Sequence, residues 1–185
     1  MYNKYLTSVG QFPAVFTAEE CRRLINLPLP AMDARINLPE FEGGQADHEM
    51  RRTKDRAVPP DTAHAWIFQR IGNLVSRANQ ESYQFRLNQH VSMHVLEYSP
   101  DGFYDWHIDL GSDVDATRKI SLVTFLTPPE EYAGGELCFL DKGPPLKLPQ
   151  GTTVLFPSYL IHRVEPVTRG TRFSLVSWVH GPSFC

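Results

Sequence analysis

A histidine and an aspartate two positions apart, His107 and Asp109, are the residues of this sequence best suited to do chemistry together. In a β-strand, residues i and i+2 point to the same face, so one imidazole and one carboxylate can reach a common point while Trp106 and Ile108 point the other way, into packing. A second histidine, His162, stands where a later strand is expected to begin. Two histidines and one carboxylate form the facial triad of non-haem iron(II) oxygenases, which leaves positions on the metal open. The pattern therefore predicts a metal site.

Each part of this pattern has a simpler explanation when it is taken alone. A histidine and an aspartate two apart are common on solvated strands, and His162 alone would be a hydrogen-bonded structural histidine. The same three ligand types also suit a catalytic zinc, although the sequence holds no HExxH motif and no glutamate obviously placed as its base. The combination and its order along the chain favour the iron site.

An arginine on the last long predicted strand is the second chemical feature. Arg172 follows His162 by ten positions, and Ser174 lies two further on, on the same face. A guanidinium binds a carboxylate, such as the C5 carboxylate of 2-oxoglutarate, through two hydrogen bonds, and a hydroxyl adds a donor. Because an arginine in a mostly apolar strand needs a partner, we predict this ligand or else a structural salt bridge. Tyr98 could donate to the same ligand or be an ordinary core tyrosine.

Strands must position these residues, and the sequence changes to strand patterns from Tyr83 onward. Turn clusters such as SPDG, GSDVDAT and DKGPP separate roughly eight β-rich runs over residues 91–180, which predicts a sandwich or jelly roll. The β-rich runs are YQFRLNQ, VSMHVLEY, RKISLVTFL, GELCFL, TTVLFP and TRFSLVSWVH, with two shorter pieces, YDWHID and HRVEPV.

The front of the chain predicts helices that support this β core. Thr17 and Glu20 form a capping box that starts a first helix, which Pro28 ends. A second helix is expected from a cap at Asp61 to about Asn79. Between them we expect a long loop with one strand at 52–58. The prediction is therefore one domain over 1–185, with 1–82 as helical support and loop and 83–185 as the mainly β core.

Composition narrows the function classes. The 185 residues carry a formal net charge of −3, which does not suggest a general nucleic-acid or anionic-membrane binder. Three cysteines without a CxxC spacing support neither a disulfide framework nor a zinc ribbon. The N-terminus shows no signal-peptide pattern, and no run approaches the length of a membrane span. We therefore expect a cytoplasmic protein without membrane or nucleic-acid partners.

Three segments together resemble the prolyl-4-hydroxylase-like Fe(II)/2-oxoglutarate dioxygenases, and in particular the bacterial PKHD-type hydroxylases. These segments are YSPDGFYDWHID, RKISLVTFLTPPEEYAGGELCFL with its GGEL turn, and GTTVLFPSYLIHRVEPVTRGTRFSLVSWVHG. The resemblance covers residues 91–181 well and the front third loosely. It implies a double-stranded β-helix fold, iron ligation by His107, Asp109 and His162, and 2-oxoglutarate binding by Arg172, with Tyr98 as a further contact.

The resemblance also implies O2 as cosubstrate, ascorbate as an accessory reductant, and hydroxylation of a prolyl residue in a protein or peptide. One position departs from the family. Some prolyl hydroxylases carry a cosubstrate-binding tyrosine where this sequence has Phe125, and Ser174 or Thr124 is then expected to compensate. The basic run 51–56 could receive an acidic segment of the substrate, although a solvated loop is the simpler explanation.

Other readings remain open at this point. A hydroxylase of a free amino acid or another small metabolite would carry the same triad. A nucleic-acid demethylase of the AlkB type would usually have a second arginine six residues after the first, where this sequence has Trp178. A non-catalytic cupin-like metal-binding module would share the barrel, but it would not need Arg172 at this spacing.

Overall fold

The computed structural model describes residues 3–36, 45–88 and 91–183, which form mainly antiparallel β-strands. The strands are β1 (Gly10–Phe12), β2 (Met32–Asp33), β3 (Arg51–Arg52), β4 (Lys54–Ala57), β5 (Val91–Tyr98), β6 (Phe103–His107), β7 (Arg118–Phe125), β8 (Ala133–Gly134), β9 (Leu137–Phe139), β10 (Thr153–Pro157), β11 (His162–Val164), β12 (Val167–Arg169) and β13 (Arg172–His180). The helices are α1 (Ala18–Ile25) and α2 (Ala65–Ala78), with a π-helical turn at Asn79–Tyr83 and 3₁₀ turns at Asp113–Thr117 and Pro129–Glu131.

Two sheets form the body of the fold. The large sheet has the order β1-β10-β7-β13-β5-β4-β2, and the small sheet has the order β3-β6-β11-β9. A further pair, β12-β8, lies at the turn before β13. All of these pairings are antiparallel, and strands adjacent in space are often distant in sequence. The predicted mainly β, double-stranded β-helix architecture is confirmed.

The two faces of the large sheet bury different cores. One face packs against α1 and α2 through Leu24, Ile67, Ile71 and residues such as Leu175. The other face meets the small sheet through a second cluster that includes Phe125, Phe156 and Val176. Because side chains alternate along a strand, the even-numbered residues 172–178 of β13 face the small sheet. This alternation sends Arg172 into the space between the sheets.

The capping box of α1 is present as predicted. Thr17 accepts a hydrogen bond from the Glu20 N–H (3.2 Å), and the Glu20 carboxylate accepts one from the Thr17 N–H (2.9 Å). The predicted start of α2 at Asp61 is wrong, since the helix begins at Ala65. The Asp61 carboxylate instead accepts from the His64 N–H (3.1 Å) and contacts the His64 ring (2.7 Å), so it closes a turn ahead of the helix.

The predicted strand YQFRLNQ is wrong over residues 83–88, and residue 89 lies outside the described part of the chain. Gln84 has a left-handed backbone (φ 57°), which a strand cannot include. Asn79 bonds both the N–H and the C=O of Phe85 (2.9 Å each), so a side chain satisfies the backbone that a strand neighbour would otherwise satisfy.

The single strand expected at 52–58 is two strands. β3 joins the small sheet and β4 joins the large sheet, and the chain crosses between them at Thr53. The Thr53 hydroxyl donates to the Glu97 carbonyl of β5 at 2.8 Å. Strands from before residue 83 therefore enter both sheets, while the expected division of one domain at residue 82 stays a prediction. In the part of the chain that the structure describes, no helix has the length and apolar character needed to cross a membrane.

Candidate active site

The two sequence-predicted histidines face each other across the small sheet. His107 ends β6, His162 begins β11, and the two are direct partners in the antiparallel register. Asp109 lies between their free ring nitrogens: its two carboxylate oxygens are 3.7 Å from His107 Nε2 and 3.6 Å from His162 Nε2. One ligand atom from each residue falls within 4.8 Å of the others. The structure therefore brings together the three residues that the sequence singled out.

Asp109 is not placed by strand alternation, as the sequence argument assumed. It lies two residues beyond the end of β6. Its backbone is fixed instead by the Ser158 carbonyl, which accepts from the N–H groups of Asp109 (2.9 Å) and Leu110 (3.1 Å). Arg118 adds a hydrogen bond to the Asp109 carbonyl at 3.1 Å. Hydrogen bonds to the loop backbone therefore position Asp109 beyond the end of the strand.

The expectation that Trp106 and Ile108 point into packing is wrong. They are 37% and 43% exposed, and Ile108 lines a surface cavity that His107 and Asp109 also line. Arg163 lies over the Trp106 ring, 4.6 Å from its centroid. Trp106 is therefore an aromatic side chain of the small sheet that meets solvent.

Backbone carbonyls fix which nitrogen of each histidine is available. His107 Nδ1 lies 2.7 Å from the Asp105 carbonyl, and His162 Nδ1 lies 2.9 Å from the Leu160 carbonyl. A carbonyl can only accept, so each Nδ1 carries the proton and each Nε2 lone pair is left facing Asp109. The sequence could not identify these two carbonyls, because they belong to the backbone.

Electrostatics favour the ligating protonation states. Burial, followed by repulsion from His162, lowers the pKa of His107 to about 3, so this imidazole is neutral near pH 7. Burial acts to raise the pKa of Asp109, but the attraction of His162 and His107 outweighs it and the net pKa is lowered. Neutral imidazoles and an ionised carboxylate are the forms that bind a divalent metal.

Arg172 enters the same cavity from the large sheet. It is 1% exposed, and its guanidinium lies against the rings of Tyr98 (5.1 Å) and Phe125 (5.3 Å). Its Nη1 donates to Ser174 Oγ at 3.3 Å, while Nε and Nη2 have no hydrogen-bond partner. Among the described residues no carboxylate pairs with it, so the alternative of a structural salt bridge has no support there. A buried cation with two unused donors needs an anion.

The remaining sequence candidates lie around this guanidinium. Tyr98 pairs with Arg172 across β5 and β13, and both it and Ser174 line the cavity that the triad lines. Phe125 contacts the guanidinium with a ring that has no hydroxyl. The expected compensation by Thr124 is wrong, because its hydroxyl points to the other face of β7 and bonds Thr153 at 2.8 Å. Ser174 is the hydroxyl that reaches Arg172.

Sequence reasoning missed a second phenol beside Arg172. Tyr132 is buried, its hydroxyl has no hydrogen-bond partner, and burial raises its pKa while the nearby Arg172 lowers it. The turn that carries it fits closely, because a Cβ on Gly135 would lie 2.9 Å from Arg172 Cδ. The paired glycines 134–135 were the one available signal, since both have positive φ (72° and 68°).

A second, wider cavity of about 430 Å³ is lined by the same triad residues His107 and Asp109 and reaches the surface. Its lining residues include Arg35, Gly111 and Asp115. The 128–134 turn contributes no lining residue to it. Trp178 lines both cavities, which makes it a wall shared by the inner site and its entrance.

The match to a known protein family covers the segment that holds the site. Residues 93–180, which hold all of the residues of the triad and Arg172, match the family model described as the 2OG-Fe(II) oxygenase superfamily. The chain is 29% identical over 181 residues to the PKHD-type hydroxylase PiuC of Pseudomonas aeruginosa, covering 90% of this chain and 75% of that protein. It is 38% identical over 116 residues to a PKHD-type hydroxylase of Crocosphaera subtropica, covering 58% and 52%.

Solved structures share the fold over nearly the whole chain. A prolyl-4-hydroxylase of Pseudomonas putida has a TM-score of 0.71 at 24% identity, over 96% of this chain and 94% of that chain. A prolyl hydroxylase of Trichoplax adhaerens, solved with a peptide fragment of the hypoxia inducible factor oxygen degradation domain, has a TM-score of 0.74 at 16% identity, over 96% and 84%.

Proposed function

We propose that the chain, which matches the 2OG-Fe(II) oxygenase superfamily over residues 93–180 and resembles a PKHD-type hydroxylase over 90% of its length, is a 2-oxoglutarate-dependent hydroxylase that acts on a prolyl residue of a protein or peptide. In this proposal His107, Asp109 and His162 hold iron(II), and Arg172 anchors 2-oxoglutarate with help from Ser174 and Tyr98. O2 as cosubstrate and ascorbate as accessory reductant stay predictions from the family.

One observation carries the proposal: a three-residue metal-ligand set and a buried, unpaired guanidinium line the same cavity. A metal-binding module without catalytic activity would need only the metal-ligand set. A cosubstrate with a carboxylate at one end and metal-chelating oxygens at the other explains both. This is a reason to prefer the oxygenase over the cupin-like module.

The residues fit the groups that the family implies. Two imidazole nitrogens and one carboxylate oxygen suit iron(II), and their arrangement on one side leaves the cavity side open. The unused Nε and Nη2 of Arg172 suit a carboxylate in the two-pronged mode. The buried Tyr132 hydroxyl lies near this guanidinium and is a further donor for the same carboxylate.

The protein residues have distinct roles in this mechanism. Iron(II), when bound, would supply the activation of O2 and the oxidation of a C–H bond. Asp105 and Leu160 carbonyls hold the ring protons of the two histidines on Nδ1, so the Nε2 lone pairs stay available. Arg172 orients the cosubstrate by its charge. Apolar residues that line the cavity, Leu137, Val164 and Val176, keep water away from it.

Two observations support a peptide over a nucleic acid. The wide cavity opens directly from the triad, which allows an extended chain to bring one residue to the metal. At position 178, where a second arginine would favour a demethylase of the AlkB type, the Trp178 ring lies against the Arg118 guanidinium (4.2 Å) and makes an edge-to-face contact with His94 (5.4 Å). A free amino acid or other small metabolite is the second candidate, because the same cavity would admit it.

We expect purified protein to form succinate from 2-oxoglutarate only when iron(II) is present, and to add one oxygen atom to proline-containing peptides. His107→Ala removes one of three metal ligands, so succinate formation and iron binding should both fall by at least a hundredfold. Succinate is measured by chromatography, hydroxylation by mass spectrometry, and bound iron by elemental analysis.

His48→Ala is the matched control, since His48 is exposed and lines neither cavity of the site. It should keep wild-type turnover. If His107→Ala formed succinate at the wild-type rate, the metal assignment would be rejected. If succinate formed but only free amino acids were oxidised, the peptide substrate would be rejected in favour of the second candidate.

A further inference from the structure

The basic run 51–56 is not the solvated loop that its composition suggested. Lys54 is paired with Asp33 at 2.8 Å, and Arg56 donates to the Ile25 carbonyl at 2.8 Å and lies 3.7 Å from Glu97. Arg51 differs from both. It is only 8% exposed, and in the described ranges no carboxylate pairs with it.

The contacts of Arg51 do not neutralise its charge. Its Nη1 makes one long hydrogen bond to the Arg35 carbonyl (3.4 Å), its guanidinium lies 4.5 Å from the Tyr104 ring centroid, and its buried Nε has no partner. A cation–π contact contributes roughly 0.5–2 kcal/mol. A buried ion without a counter-ion loses several kcal/mol of hydration. The contacts that the structure shows are therefore too weak to explain the burial.

Arg51 stands where the two cavities meet. It lines the inner cavity with the triad and also the wide cavity of about 430 Å³. Tyr104, on which it stacks, is itself stacked on His107 with the ring centroids 3.4 Å apart. The wide cavity also contains the ion pair of Arg118 with Asp115 (2.8 Å) and the contact of Asp55 with His94 (2.6 Å).

We propose that Arg51 binds a carboxylate of the substrate, next to the carbon that is hydroxylated. This rests on the proposed function and narrows it, because the substrate then carries an acid near its reactive residue. The acid is either the side chain of a neighbouring aspartate or glutamate in a peptide, or the free carboxylate of a small molecule. The 2-oxoglutarate carboxylate is already matched by Arg172 on the large sheet, whereas Arg51 belongs to the small sheet and faces the entrance.

The test is direct binding to protein that holds Zn(II) in place of iron together with 2-oxoglutarate, so that nothing turns over. Fluorescently labelled proline peptides carry a single glutamate at each position from three before to three after the proline, and each is paired with the glutamine peptide. A second arm compares free L-proline with prolinamide by calorimetry. We expect the acid to bind at least tenfold more tightly than its amide in one of the two arms.

In Arg51→Gln, the affinity for the acid should be within twofold of the affinity for its amide, while the affinity for 2-oxoglutarate should not change. Arg52→Gln is the matched control, because Arg52 is exposed on the same strand and lies 5.6 Å from the Phe103 ring, outside both cavities. It should keep the tenfold ratio. Should Arg51→Gln fail to fold, Arg51→Lys keeps the charge without the two-pronged geometry and should lower the ratio at least threefold.

The outcomes separate this inference from the proposed function. A preference in the peptide arm assigns the acid to a neighbouring side chain, and a preference in the proline arm assigns it to a small molecule. No preference in either arm, or a ratio that survives in Arg51→Gln, overturns the role of Arg51. A variant that loses affinity for 2-oxoglutarate instead also overturns it. Iron-dependent succinate formation would be untouched by all of these results.

Discussion

At the scale of single residues, Arg172 and Arg51 share a property that is uncommon in folded proteins. Both are buried arginines without an acidic partner among the described residues. Arginine is almost never fully buried unless it is paired, so each is best explained as half of an interaction that a ligand completes. Arg51 belongs to the small sheet and Arg172 to the large sheet, and both line the inner cavity.

Arg172→Met tests the first of these arginines. Methionine fills similar space but cannot bind a carboxylate, so we expect the dissociation constant for 2-oxoglutarate to rise by roughly thirtyfold or more, which corresponds to about 2–5 kcal/mol. Calorimetry on the Zn(II)-loaded protein measures this without turnover.

Arg169→Met is its control, because Arg169 is exposed on the neighbouring strand β12. It should bind 2-oxoglutarate as the wild type does. An unchanged dissociation constant for Arg172→Met, with a wild-type circular dichroism spectrum, would reject Arg172 as the anchor.

The sequence reveals the residues whose type and spacing are demanded by chemistry. His107, Asp109, His162 and Arg172 could be named because few other residue types perform their roles. Tyr132 could not be named, and Arg51 could be named only as part of the basic run 51–56, because an aromatic or a basic residue in a loop has no distinctive spacing. A turn brings Tyr132 beside Arg172, and the short strand β3 brings Arg51 to the cavity.

At the scale of elements, the turn between β8 and β9 is built around the arginine that it covers. Gly134 and Gly135 both adopt positive φ, and a Cβ on Gly135 would approach Arg172 Cδ and Val167 Cγ2 to 2.9 Å. The turn thus has two constraints, one of backbone conformation and one of space, and the second concerns Arg172, the proposed anchor of 2-oxoglutarate.

Gly135→Ala should therefore cost stability and also weaken 2-oxoglutarate binding. We expect the free energy of unfolding to fall by roughly 1–3 kcal/mol from backbone strain, with a further loss of affinity as Arg172 is displaced. Urea denaturation measures the first and calorimetry the second.

Gly143→Ala separates the two effects. Gly143 also has positive φ (97°), but no atom lies within 4 Å of the Cβ it would gain. It should lower stability through strain alone and leave the dissociation constant for 2-oxoglutarate as it is. Equal affinities in both variants would mean that the turn does not support Arg172.

Elements could be predicted where the signal was local. The capping box of α1 lies within four residues, and the structure has it. The segment 83–88 has a strand-like composition, but a hydrogen bond to Asn79 and a left-handed backbone at Gln84 determine its conformation. Neither feature can be predicted from composition. The end of β6 before Asp109 was also beyond the sequence, because the Ser158 carbonyl that replaces the strand comes from a distant loop.

At the scale of the whole molecule, the two sheets divide the site between them. The proposed metal ligands His107 and His162 belong to the small sheet, and Arg172 belongs to the large sheet. One molecule of 2-oxoglutarate would contact both sides. Its binding should therefore stabilise the packing of one sheet on the other.

We expect Zn(II) and 2-oxoglutarate together to raise Tm by more than the sum of their separate effects. A ligand present at a hundred times its dissociation constant stabilises the folded state by about 2.7 kcal/mol, which for a chain of this length is a shift of roughly 5–10 °C. Differential scanning calorimetry of the protein alone, with Zn(II), with 2-oxoglutarate and with both measures these shifts in Tm.

Two variants locate this coupling. Arg172→Met should keep the shift caused by Zn(II) and lose the excess caused by 2-oxoglutarate, whereas His107→Ala should lose both. Purely additive shifts in the wild type would argue against a cosubstrate that spans the two sheets.

The sequence predicted the mainly β character of the core better than it predicted which strands are neighbours in space. Turn clusters mark where strands end, so the β core was recognisable. Which strands pair is set by contacts between distant segments, such as β1 with β10 and β4 with β5. Periodicity within a segment contains no information about that choice.

The Ser158 carbonyl, which accepts from both Asp109 and Leu110, has a consequence for how the metal is acquired. It joins the loop that carries Asp109 to the segment that leads to His162, and only protein groups take part in this link. The donor atoms are therefore preorganised, and the entropy of gathering them is lost during folding rather than on metal uptake. Small zinc modules differ, since they fold only as the ion binds. Here a chelator should remove the ion and leave the native sheets intact.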